Sequence, residues 1–69
     1  MRRDPVASSN IMSIGYDVAS ETLEIEFQQG AVYQYYNVPK PIYDELKAAP
    51  SKGKFFASQI KNIFPYARV

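Results

Sequence analysis

Two alternating runs, TLEIEF at residues 22 to 27 and AVYQY at residues 31 to 35, stand three residues apart, and the last of the three is Gly30. Period-two alternation marks strands that bury one face. A Gln28-Gln29-Gly30 connection suits a type I turn closed by a glycine in the left-handed conformation, the G1-bulge hairpin. That turn fixes the register: Phe27 pairs with Ala31, Ile25 with Tyr33 and Leu23 with Tyr35, so Tyr33 and Tyr35 join the apolar face. Glu24, Glu26, Val32, Gln34 and Tyr36 then point the other way, the two glutamates toward solvent. A two-residue Gln29-Gly30 loop would shift the pairing by one and reverse the assignment, but Gln-Gly is a poor type I′ pair.

Around this hairpin the chain organises simply. IMSIGYD, residues 11 to 17, alternates Met12, Ile14 and Tyr16 against Ser13 and Gly15 and is expected as a further strand. Pro39 and Pro41 carry the chain out of the sheet into a helix from about 40 to 48, with Ile42 and Leu46 on one side. Pro50 ends it, and Ser51 is the N-cap of a second helix, KGKFFASQIKNIF, in which Phe56, Ile60, Ile63 and Phe64 recur at helical spacing until Pro65. The expected fold is α+β: a three-stranded antiparallel sheet followed by two helices packed on one face. Residues 1 to 5 are expected as a flexible head and residues 6 to 69 as one domain, with Tyr66 to Val69 a short extended tail.

A chain of 69 residues is near the size at which one core only just offsets the entropy of ordering it. With neither cysteine nor histidine, the usual zinc and iron sites, cysteine nucleophiles and histidine-based acid–base pairs are excluded. Glu24 and Glu26, a bare carboxylate pair on one strand, carry no reason for a perturbed pKa, so an enzyme is not expected, nor is a cofactor. Eight Lys and Arg against seven Asp and Glu give a net charge of +1, so any affinity for nucleic acid must come from clustered rather than total charge. The absence of cysteine fits a reducing cytoplasm, and no apolar stretch suggests a membrane segment.

VASSNIMSIGYD, TLEIEF, a glycine turn, VYQY, VP, SKGKFF and PYARV occur in that order, and the chain resembles the KTSC domain, named for the C-terminus of certain lysyl-tRNA synthetases. That family also occurs as free-standing bacterial proteins of about this length, and its mark is a Y-x-Y triplet, matched here by Tyr33, Gln34 and Tyr35. The resemblance implies an RNA-binding role and brings no catalytic residues with it.

Two readings of the tyrosines stand side by side. Tyr33 and Tyr35 are core residues beneath the helices, or they are platforms for unpaired bases; Tyr36 is the exposed stacking candidate. For phosphate, the candidates are Lys52, Gly53 and Lys54 in the first turn of the second helix, Ser58 and Lys61 further along it, and Arg68 in the tail. The bland reading makes these lysines the solvated side of an amphipathic helix. Two functions follow: a small non-catalytic RNA-binding module, or a protein-interaction adaptor or homodimer that docks through Val32, Tyr36 and Phe55 or through a free sheet edge.

Overall fold

A computed structural model describes all 69 residues. Its centre is the expected hairpin, β3 (Thr22–Phe27) and β4 (Val32–Tyr35), with Leu23 opposite Tyr35 and Ile25 opposite Tyr33. Gly30 sits at φ 100°, where a side chain would be strained, and the Phe27 and Gly30 amides close the turn by donating to the carbonyls of Ala31 and Phe27. The bulge register is therefore the observed one, and the tyrosine pair lies on the apolar face.

The sheet has five strands rather than three, in the order β1-β2-β3-β4-β5, all neighbours antiparallel. The two additional strands are very short. β1 (Asp4–Pro5) pairs with Ile14 and Ser13 of β2 (Ile11–Asp17), and β5 (Tyr66–Arg68), from the expected tail, pairs with β4. Pro5 is tolerated because β1 is an edge strand. Gly15 makes room for the segment ahead of β1, since a Cβ there would lie 2.4 Å from the Arg2 carbonyl oxygen.

Within β2 the apolar phase differs from the expected one. The pairing shifts between Ile11 and Ser13, so Met12 is the extra residue of a bulge and is exposed, while Ile11 is fully buried in its place. Beyond the bulge, Ile14 returns to the core face.

Helix α1 (Lys40–Ala48) begins after Pro39 with Pro41 in its first turn, and buries Leu46. Helix α2 (Lys52–Gln59) is capped by Ser51, whose hydroxyl accepts from the Lys54 amide at 3.3 Å. α2 stops at Gln59 rather than at Phe64. Asn62 takes a left-handed φ of 68°, which breaks the helical path, and Ile63 is exposed as a result. Ile11, Ile14, Leu23, Ile25, Tyr35, Val38, Leu46, Phe56 and Ile60 form one core between the sheet and the two helices. No helix is long and apolar enough to cross a membrane.

The opposite face of the sheet is not an open row of solvated glutamates. Glu24 is buried, and the Arg3 guanidinium lies 2.5 Å from its carboxylate. Gln34 donates to the other Glu24 oxygen at 2.9 Å, and Ser13 donates to Glu26 at 2.9 Å while accepting from Arg3 at 3.1 Å. Burial pushes the Glu24 carboxyl upward, but the hydrogen bonds from Gln34 and Arg3 and the arginine charge outweigh it, leaving the group below its ordinary value. Sequence pattern alone put Glu24 and Glu26 in solvent because their partner comes from the head of the chain.

Candidate nucleic-acid interface

The register that places Tyr33 and Tyr35 on the helix side also determines what stands beside them. β5 runs along the outer edge of β4 with Tyr66 opposite Tyr35 and Arg68 opposite Tyr33. Directly opposed residues project to the same face, so one sheet edge presents three tyrosines and an arginine together. Tyr33 and Tyr35 stack with ring centroids 6.5 Å apart, and Tyr66 lies 5.7 Å from the first and 5.5 Å from the second. Phe56 meets Tyr35 edge-on at 5.4 Å, and Phe27 meets Tyr33 edge-on at 5.7 Å.

These rings enclose a slot of about 260 Å³ between the sheet edge and the end of α2, completed by Gln29, Lys61 and Asn62. Tyr35 is only 4% exposed, yet the chain supplies no partner for its hydroxyl. Because no sealed polar side-chain atom lacks a hydrogen bond, that hydroxyl reaches accessible space. Burial, then the neighbouring phenols of Tyr66 and Tyr33, pushes its pKa up to about 12, so it is a neutral donor across the physiological range. Tyr35 is thus a core residue along its ring and a slot residue at its tip.

A second cavity of about 290 Å³ shares Phe27, Gln29, Phe56 and Lys61 with the slot and continues past Gly53 and Ala57 to Asn10. From there a third, of about 580 Å³, runs between Ser8, Ser9 and Asn10 and the first turn of α2. The three form one groove along α2. Asn10 and Gly53 touch closely within it, because a Cβ on Gly53 would stand 3.2 Å from the Asn10 amide nitrogen.

The candidate residues divide within this frame. Lys61, exposed, stands at the mouth of the slot, and Arg68 shares the face of Tyr33; neither is held in an ion pair. Lys54 is exposed on the groove. Lys52 is half-buried and engaged elsewhere, its amine donating to the Ala49 carbonyl at 3.0 Å and closing the end of α1. The Ser58 hydroxyl donates to the Phe55 carbonyl, and Tyr36, half-buried on the opposite face, donates to Gln34 at 3.1 Å. Ser8 accepts from the amides of Asn10 and Ile11, so its hydroxyl serves the local turn. Tyr66, Gln29 and Asn62 were not among the residues that sequence pattern singled out. The available signal was the Tyr-Ala-Arg alternation at 66 to 68, which three residues are too few to establish.

Comparison with known proteins agrees with this architecture. The family model described as the KTSC domain matches residues 7–64. A protein of Tsukamurella paurometabola is 45% identical over 60 residues, covering 87% of this chain and 90% of that one. A lysine–tRNA ligase of a Nostoc species is 39% identical over 61 residues, 88% of this chain but 11% of the ligase. The crystal structure of a KTSC domain protein from Yersinia pestis superposes with a TM-score of 0.94 at 45% identity, covering 99% of this chain and 96% of that one. The family model, the sequence identities and the matching fold agree: this chain belongs to the KTSC domain family.

Proposed function

We propose that this domain is a small non-catalytic RNA-binding module, and that its contact surface is the tyrosine slot with Lys61 and Arg68 at the rim. The observation that carries the reading is the slot itself, where the Tyr33 and Tyr66 rings and the Tyr35 hydroxyl border accessible space with Lys61 beside them and Arg68 on the same sheet edge. Unpaired bases stack on such rings, and each phosphate is neutralised by a nearby lysine or arginine. The relationship to a lysine–tRNA ligase supports it, since that protein's name places it with RNA. A binding rather than a chemical role accords with Glu24, whose buried carboxylate is taken up by Arg3 and Gln34.

The test is an amide NMR titration of the labelled domain with unpaired RNA and with tRNA, at low and moderate salt. Salt-sensitive shifts at Tyr33, Tyr35, Lys61, Tyr66 and Arg68 are expected, with about 1 to 3 kcal/mol lost on Tyr33→Ala. Absence of shifts with either RNA at low salt would sink the reading. Protein docking at the same edge is the second reading, favoured by exposed Ile63, Tyr66 and Val69; its binding would change little with salt.

A further inference from the structure

We propose that the hydroxyls of Tyr33, Tyr35 and Tyr66 form a seat for the terminal phosphate of an RNA strand, an inference that rests on the RNA-binding reading and names the group the slot takes. The three rings pack on one another with centroids 5.5 to 6.5 Å apart, so a planar group can lie against exposed Tyr66 but not between them. What the cluster leaves to a ligand is its tips.

The fold brings those tips together. Tyr33 and Tyr35 stand two residues apart on β4, and Tyr66 lies directly opposite Tyr35 on β5, so all three side chains rise from one face of the sheet. Ionisation of Tyr66 and of Tyr33 bears on the titration of Tyr35, an effect that acts between phenol oxygens and falls off with distance. Yet none of the three hydroxyls is used by the fold, whereas Tyr16 donates to the Val38 carbonyl and Tyr36 to Gln34. Tyr35 is the decisive member. It is 4% exposed and lines the slot, its hydroxyl has no partner in the chain, and no sealed polar side-chain atom goes without one, so this buried phenol opens onto the slot alone.

Each phenol supplies one O–H that rotates to suit an acceptor. Lys61 lines the same slot, Arg68 lies opposite Tyr33, and no carboxylate stands among the lining residues. Three convergent donors with cations beside them suit an anion that offers three oxygens at once. A terminal phosphate does so and carries nearly two charges at neutral pH, whereas an internal phosphodiester has only two free oxygens and one charge. The slot, about 260 Å³ against about 30 Å³ for one water, has room for the group without parting the rings.

The experiment titrates the intact domain with uridine hexanucleotides bearing a 5′-phosphate, a 3′-phosphate or neither, and with inorganic phosphate and a phosphotyrosine peptide. A phosphorylated end is expected to tighten binding about tenfold, and that gain should fall as pH drops through about 6, where the phosphate takes up its second proton. Tyr35→Phe, and separately Tyr33→Phe with Tyr66→Phe, keep the rings and remove only hydroxyls; each variant should lose most of the gain while still binding the unphosphorylated strand as the parent does. Equal binding of phosphorylated and unphosphorylated strands, or a gain that survives both variants, overturns the phosphate seat and leaves the RNA reading standing. Inorganic phosphate or the peptide binding as tightly as the phosphorylated strand overturns the assignment to an RNA end. Failure of every oligomer to bind overturns both.

Discussion

The Arg3 guanidinium and the Glu24 carboxylate, 21 residues apart in sequence, meet at 2.5 Å on the sheet face turned away from the helices. Their side chains are 29% and 11% exposed, so this is a partly desolvated pair rather than a surface one. Arg3→Ala leaves a buried carboxylate without its cation, and about 1 to 3 kcal/mol of stability should be lost, measured by urea unfolding at neutral pH.

The same pair sets an acid limb. Because Glu24 has a folded-state pKa below its ordinary 4.5, its ionised form stabilises the fold above that value, and the contribution is lost as pH falls through the lower folded value. Glu24→Gln should be less stable than the parent at neutral pH and show a shallower decline below pH 4.5; equal slopes in urea midpoint against pH would contradict the assignment.

At the alkaline end the sign reverses. Tyr35 has a folded pKa of about 12 against an ordinary 10, so its contribution is complete below pH 10 and is lost as pH rises toward 12. The loss stays below what the full shift would give, because the hydroxyl opens onto the slot and water screens it. Tyr35→Phe should remove most of this alkaline decline, and a phenolate absorbance titration should show one late-titrating tyrosine that the variant lacks.

Gly15→Ala places a methyl group 2.4 Å from the Arg2 carbonyl oxygen. The head must lift, costing about 1 to 3 kcal/mol. Amide hydrogen exchange should show lost protection of Val6, whose N–H donates to the Met12 carbonyl, while α1 and α2 keep theirs.

Lys52 and Lys61 should separate stability from binding. Lys52→Ala removes the hydrogen bond to the Ala49 carbonyl and should cost about 0.5 to 1.5 kcal/mol of stability with RNA affinity little changed. Lys61→Ala should leave the unfolding midpoint in place, weaken RNA binding and lower the salt slope by about 0.7.

The hairpin was legible in sequence because its register rests on a strict alternation and one glycine, and Gly30 at φ 100° is the residue that the turn requires. Both helix starts were legible from proline and serine placement. The two outer strands were not, because segments of two and three residues carry no period, and Asp4–Pro5 reads as a charge beside a helix breaker. From those two omissions the misplaced Arg3, Tyr66 and Arg68 follow. Without β1, Arg3 has no place over Glu24; without β5, Tyr66 and Arg68 have no place beside Tyr35 and Tyr33. The end of α2 was overestimated because Ile63 and Phe64 continue the apolar spacing, and only the backbone turn at Asn62 shows that the helix has already stopped.

The strand order has a consequence for tethering. β1 lies at one margin of the sheet and β5 at the other, four strand spacings apart, or about 19 Å at about 4.8 Å each. A polypeptide joined ahead of Met1 arrives over the sheet face turned away from the helices, where Met1 lines a hollow with Asp17, Thr22 and Gln34, and not on the face that carries Tyr66. A neighbouring domain attached there can hold this one in place while the tyrosine edge stays turned outward.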